Sequence, residues 1–173
     1  MKFIIAQILG ILVGVASLSC VQFKNEKIVL AGQFLSNVFM AGSCALLGGL
    51  AGAWICVLAA IQTLLVYLAN NADAEKAEKR KRVISVVFGL AYVAGTFITY
   101  QRLADLAVCA CALLFTLTIV QKDSGKMRTI IIFNQTFWLF YDVTIGAYTN
   151  IITHGLTLIS TVTAKLRLDK KKI

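Results

Sequence analysis

The chain has 173 residues, of which 59% are hydrophobic and only 14% charged, with a formal net charge of +9 and a mean hydropathy of +0.82. This balance lies outside what a water-soluble fold tolerates, so the sequence excludes a soluble enzyme or binding domain and points to a membrane protein. The apolar runs between charge groups are about 17 to 22 residues long, enough at ~1.5 Å per residue to cross a hydrocarbon core of ~30 Å, and they lack the alternation of a membrane β-barrel.

The first run, MKFIIAQILGILVGVASLSC, reads either as a cleaved signal or as a retained helix. Ser17 occupies the place where a lipoprotein signal prefers Leu, and the charge distribution below favours retention. Crossings are predicted at 3–23, 28–47, 50–69, 83–100, 103–120, 129–146 and 148–166. The split between the fourth and fifth rests on TYQRLAD, because Arg102 and Asp105 at the centre of one long span would be costly. The fold class is thus all-α: a polytopic protein of seven transmembrane helices, arranged as two parallel three-helix repeats joined by a linker helix. The first repeat spans 1–69, a basic cytoplasmic linker 70–82, a linker transmembrane helix 83–101, and the second repeat with a basic cytoplasmic tail 102–173. NNADAEKAEKRKR is the one long polar stretch and can form a solvated helix with Glu75–Lys79 and Glu78–Arg82 pairs. An offset of 98 residues aligns Lys24 with Lys122, Phe39 with Phe137, Gly48 with Gly146, Leu58 with Leu156, Ile61 with Ile159 and Thr63 with Thr161.

Seven crossings place Lys24, Lys27, the Lys76 to Arg82 cluster, Lys122, Lys126, Arg128 and the cations from Lys165 onward on one face. Of the seventeen Lys and Arg residues, only Lys2 and Arg102 fall on the other. Cations in short loops stay cytoplasmic, so the amino terminus is expected outside, the carboxyl terminus inside, and the protein in a bacterial inner membrane. A cleaved first segment would export all the other cations. Expected partners are the lipid bilayer and a small polar solute, with self-association into a homo-oligomer left open; no nucleic acid is expected, since basic loops serve topology and anionic-lipid contact.

Polar residues within the spans must face protein or water-filled space. Asn150, Thr153, His154, Thr157, Ser160 and Thr161 form one stripe in the seventh helix, and Asn134, Gln135, Trp138, Tyr141 and Asp142 another in the sixth. Gln33, Ser36, Asn37 and Ser43 line the second helix, with Gln62 and Thr63 in the third. The expected solute-binding set is Trp138, Tyr141, Asp142, Asn150, His154, Asn37 and Gln62. Trp138 would stack on the solute, His154 and Asn150 would hydrogen-bond it, and Tyr141 and Asp142 would line an outer entrance. Gly10-xxx-Gly14 and Gly48-xxx-Gly52 are expected to mark close helix packing. Cys20, Cys44, Cys56, Cys109 and Cys111 read as small packing residues. No catalytic group, metal site or cofactor is expected, since there is one histidine and no visible nucleophile-base pair.

WLFYDVTIGAYTNIITHGLTLIS from Trp138 and AGAWICVLAAIQTLLVYL from Ala51 resemble the last two helices and the third helix of YgjV-type bacterial inner-membrane proteins. The wider arrangement resembles SWEET and SemiSWEET sugar transporters and PnuC vitamin transporters, built as three helices, a linker helix and three helices. In SemiSWEET a Trp and an Asn carry binding at the spacing that here joins Trp138 to His154; the first-half equivalents are Met40 and Cys56, which would make a pocket asymmetric. Those carriers bend helices at prolines, and this chain has none, so glycines such as Gly42, Gly89 and Gly95 would have to supply the give. The resemblance implies a small-molecule permease or facilitator. The alternative is a non-transporting membrane scaffold or subunit of a membrane complex.

Overall fold

A computed structural model of the chain describes residues 1–20, 26–70, 74–121 and 124–169. Phe23 at the end of the first predicted crossing, Lys24, Lys122, Lys170 to Lys172 and the linker residues Asn71 to Asp73 therefore lie outside the described residues. Among the described residues there are seven helices and no strand: α1 Lys2–Cys20, α2 Glu26–Leu46, α3 Leu50–Ala69, α4 Ala74–Thr99, α5 Ala104–Val120, α6 Ser124–Ile145 and α7 Tyr148–Asp169. Each corresponds to one predicted crossing. The main departure is α4, in which the basic stretch and the fourth apolar run form one continuous helix of 26 residues. AEKAEKRKR consists of good helix formers, Arg82 pairs with Glu78 at 2.8 Å, and no glycine interrupts before Gly89.

The predicted break at TYQRLAD exists, and Asp105 makes it. Its Oδ2 accepts hydrogen bonds from the backbone N–H groups of Gln101 and Arg102 at 2.8 and 3.0 Å, so a first-turn carboxylate reaches back to satisfy turn donors, as in a capping box. The α2–α3 and α6–α7 turns share another device. Gly49 N–H bonds to the Cys44 carbonyl and Gly48 N–H to that of Ala45; Ala147 N–H bonds to Asp142 and Gly146 N–H to Val143. Both are Schellman closures, and Gly48 and Gly146 adopt φ of 78° and 70°. Gly48 is thus a turn glycine and not the packing glycine expected of it.

The helices close into a ring. α1 packs on α2, α2 on α3, α3 on α5, α5 on α6, α6 on α7, and α7 back on α1, while α4 lies against α3 and α5. Exchanging the two three-helix groups maps the α1–α7 contact onto α3–α5. Gly10 and Gly14 seat α1 on α7, where a Cβ at Gly10 would collide with Thr149 and Asn150, and one at Gly14 would meet Thr153 Oγ1 at 2.8 Å. Gly95, expected as a point of give, instead seats the Trp54 indole between α3 and α4.

Among the described residues, three helices are long and apolar enough to cross a membrane by length and composition: α2 over Ile28–Leu46, α3, and α4 over Glu75–Thr99. α1 and α5 are apolar but shorter. In α6 and α7 most strongly polar residues point inward, whereas Thr136, Thr144, Ser160 and Thr163 are exposed, so Ser160 falls outside the inward stripe expected of α7. Asn134, Asp142, Asn150, Thr153 and His154 are buried, whereas Phe133, Phe137, Phe140 and Val143 of α6, and Ile152, Leu156, Ile159 and Leu166 of α7, are exposed. Polar groups inside and large apolar groups outside is the distribution that lipid imposes.

Candidate functional site

The six-helix ring encloses a polar layer, and α6 and α7 supply its titratable pair. Asp142 stands one turn before the α6 terminus, and His154 lies two turns into α7, so the short Gly146–Ala147 connection folds them together. His154 Nδ1 and Asp142 Oδ2 are 2.6 Å apart. Asp142 is 0% exposed and His154 9%. Trp138, one turn before Asp142, stacks on the imidazole with ring centroids 5.6 Å apart and planes 26° from parallel; it meets Tyr141 edge-on at 6.0 Å. Asn150 lies beside the carboxylate. Asp142 Oδ1, Asn150 Oδ1 and Gln135 Oε1 are buried without a hydrogen-bond partner.

The layer also ties the two three-helix groups together. Tyr141 of α6 accepts a hydrogen bond from the Gly52 N–H of α3 at 3.0 Å, and Asn150 of α7 donates to Ser43 Oγ of α2 at 3.4 Å. At the 98-residue offset Ser43 matches Tyr141 and Gly52 matches Asn150, so the two contacts are exchanged counterparts. The same offset sets Cys44 and Cys56 in the places of Asp142 and His154; both thiols are buried in the core. A polar pair in one group is therefore matched by a thiol pair in the other. Among the described residues, no three His, Cys, Asp or Glu side chains come close enough to hold a metal ion.

Tyr141 and Asp142, expected to line an outer entrance, are both fully buried. The short α6–α7 turn folds the end of α6 into the ring, where Gly52 and His154 engage their polar atoms. Gln62 is also fully buried and joins α4 and α5, accepting from the Tyr92 hydroxyl at 2.6 Å and donating to Thr116 Oγ1 at 3.5 Å. Asn37 is half-buried on α2. Trp138, Tyr141, Asp142, Asn150 and His154 are thus brought together, while Gln62 belongs to a second polar contact and Asn37 to the α2 face.

A cavity of about 640 Å³ opens elsewhere, at the end where α4 begins with its basic cluster. Its apolar wall includes Leu30, Val66, Phe115 and Met127, its polar groups Gln33, Asn70 and Gln121, and its rim Glu78, Lys81 and Arg82. None of the expected binding residues lines it, but Asn37 and Gln62 lie one helical turn farther from that end than its Gln33 and Val66. Lys165 of α7 donates to Thr129 of α6 at 2.6 Å on the basic side, whereas Arg102 reaches the Thr144 carbonyl at the opposite end.

Sequence reading passed over two structural anchors, Gln7 and Tyr92, and named a third, Asn134, only as part of the α6 stripe. Gln7 of α1 clamps the α6–α7 turn, donating to the Gly146 carbonyl and accepting from the Thr149 N–H, both at 3.0 Å. Tyr92 is a fully buried tyrosine in α4, and Asn134 exchanges hydrogen bonds with Cys111 across α5 and α6. For Gln7 the signal was isolation: it is the one strongly polar side chain between Phe3 and Ala16.

Helices with apolar outer faces around a hydrogen-bonded polar interior define an integral, polytopic membrane protein. The profile of Imp-YgjV, described as a bacterial inner membrane protein, matches residues 4–172. The chain belongs to that family. Searches of curated proteins and of solved structures found no match.

Proposed function

We propose that the protein is a permease or facilitator for a small polar solute, with its amino terminus outside and its carboxyl terminus in the cytoplasm. The observation that carries this reading is the asymmetry of the ring: a cavity at the basic end and a hydrogen-bonded polar layer sealing the two helix groups at the other. A transporter open to one side has this form. In this reading the two three-helix groups are parallel repeats that rock against each other, and the Tyr141–Gly52 and Asn150–Ser43 contacts break when the opposite end opens. Trp138 stacks on the solute, His154 and Asn150 hydrogen-bond it, and Asn37 and Gln62 meet it between that layer and the cavity. Tyr141 and Asp142 hold the layer together.

The test is uptake by proteoliposomes across sugars, nucleosides and vitamins. A transported solute is expected to lose at least tenfold in rate when Trp138→Ala and His154→Ala are combined; an unchanged rate would count against the site. A scaffold role is the second reading, favoured by the close seating of Gly10 on α7 and Gly52 on Tyr141, which restricts rocking. Stoichiometric capture of a membrane partner, with no solute transported, would decide for it.

A further inference from the structure

We propose that the Asp142–His154 pair is a proton-binding site, holding one proton more when closed than the same two side chains hold apart in neutral water. Using that proton to couple transport rests on the permease reading; the binding itself does not. The geometry leaves few ways to neutralise Asp142. Its carboxylate is fully buried; Trp138 and Tyr141 from α6 and Asn150 from α7 adjoin the pair, and the surrounding core holds the buried thiols of Cys44, Cys56 and Cys111 and the buried carboxyl of Asp105. On the α1 side Gly10 abuts Asn150. None of these carries a positive charge. His154 is the one histidine of the chain, and it already contacts Oδ2.

A neutral imidazole donating from Nδ1 to an ionised carboxylate would leave a net negative charge in a nonpolar interior, which desolvation strongly disfavours. One additional proton makes the pair neutral overall. It resides either on the imidazole Nε2, giving imidazolium and carboxylate, or on the carboxyl, where Oδ1 has no other partner. Displacement of Trp138 admits water, which solvates the carboxylate and accepts the proton as hydronium, since a hydrated imidazole is neutral above about pH 6.5. Re-exposure to an acidic compartment reloads it. With the solute carried in the same cycle, each turnover moves one proton.

Because the chain has a single histidine, tag-free protein labelled with nitrogen-15 histidine and carbon-13 aspartate in nanodiscs reports the imidazole as one site. At pH 8 the expected result is either a doubly protonated ring beside a carboxylate or a singly protonated ring beside a carboxylic acid. Asp142→Asn is expected to leave a singly protonated ring, and His154→Gln a protonated carboxyl at position 142. A singly protonated ring beside an ionised Asp142 at pH 8 in the unaltered protein would overturn the proposal. If Asp142→Asn does not fold, the unaltered protein and His154→Gln decide alone. No solute is needed, so a protein that holds the proton yet transports nothing refutes the permease reading and leaves this site standing.

Discussion

The Gly52 N–H lies in the first turn of α3, where no helical carbonyl precedes it, and the Tyr141 hydroxyl from α6 accepts it instead. Tyrosine here does the work of an N-cap, but from another helix. Tyr141→Phe keeps the ring and strands a buried donor, so it is expected to lower stability by about 1–2 kcal/mol in an unfolding titration. Gly52→Ala would place a Cβ 2.6 Å from Tyr141 Cε1 and is expected to cost more, about 2–3 kcal/mol. Equal stability of Tyr141→Phe and the parent would refute the cap. The sequence marked Tyr141 and Asp142 as important residue types through their place in an apolar run. The stripe set them on the inward face of α6, but it gave no sign that they were sealed and not at an entrance, because neither Gly52 nor His154 can be assigned as a partner from helix periodicity.

At the scale of elements, two glycines end two helices in the same way. A Cβ at Gly48 or Gly146 would meet nothing within 4 Å, so replacement tests backbone conformation alone. Gly48→Ala and Gly146→Ala are each expected to destabilise by about 1–2 kcal/mol, the cost of a left-handed conformation for an L-residue, and Asn at either position by less. A neutral result in thermal unfolding would mean that the turns close differently. Helix positions were largely legible, since a span needs only an uninterrupted apolar run, and α3 has the predicted limits. The end of the basic linker was not: lysine, arginine and glutamate favour helix as well as water, so the segment runs into α4 without a break. Gly48 and Gly52 share a motif yet differ in role, since one terminates a helix and the other admits a tyrosine.

For the whole molecule, the proposed orientation rests on charge. Alkaline phosphatase, active only outside the cytoplasm, is expected to be active when inserted at the α2–α3 turn and inactive when fused after Val120; the reverse pattern would invert the map.

Composition and charge grouping alone determined that this chain lives in a membrane as helices, because hydrocarbon demands long apolar stretches whatever their neighbours. They also fixed which ends carry the cations, since that depends on chain order and not on contacts. Only the tertiary structure decided that Asp142 meets His154, that Tyr141 caps α3, and that the cavity lies at the basic end away from both. Those facts depend on which helix faces adjoin, and lateral packing in a bilayer is set by small shape matches such as Gly10 on Thr149, to which hydropathy is blind.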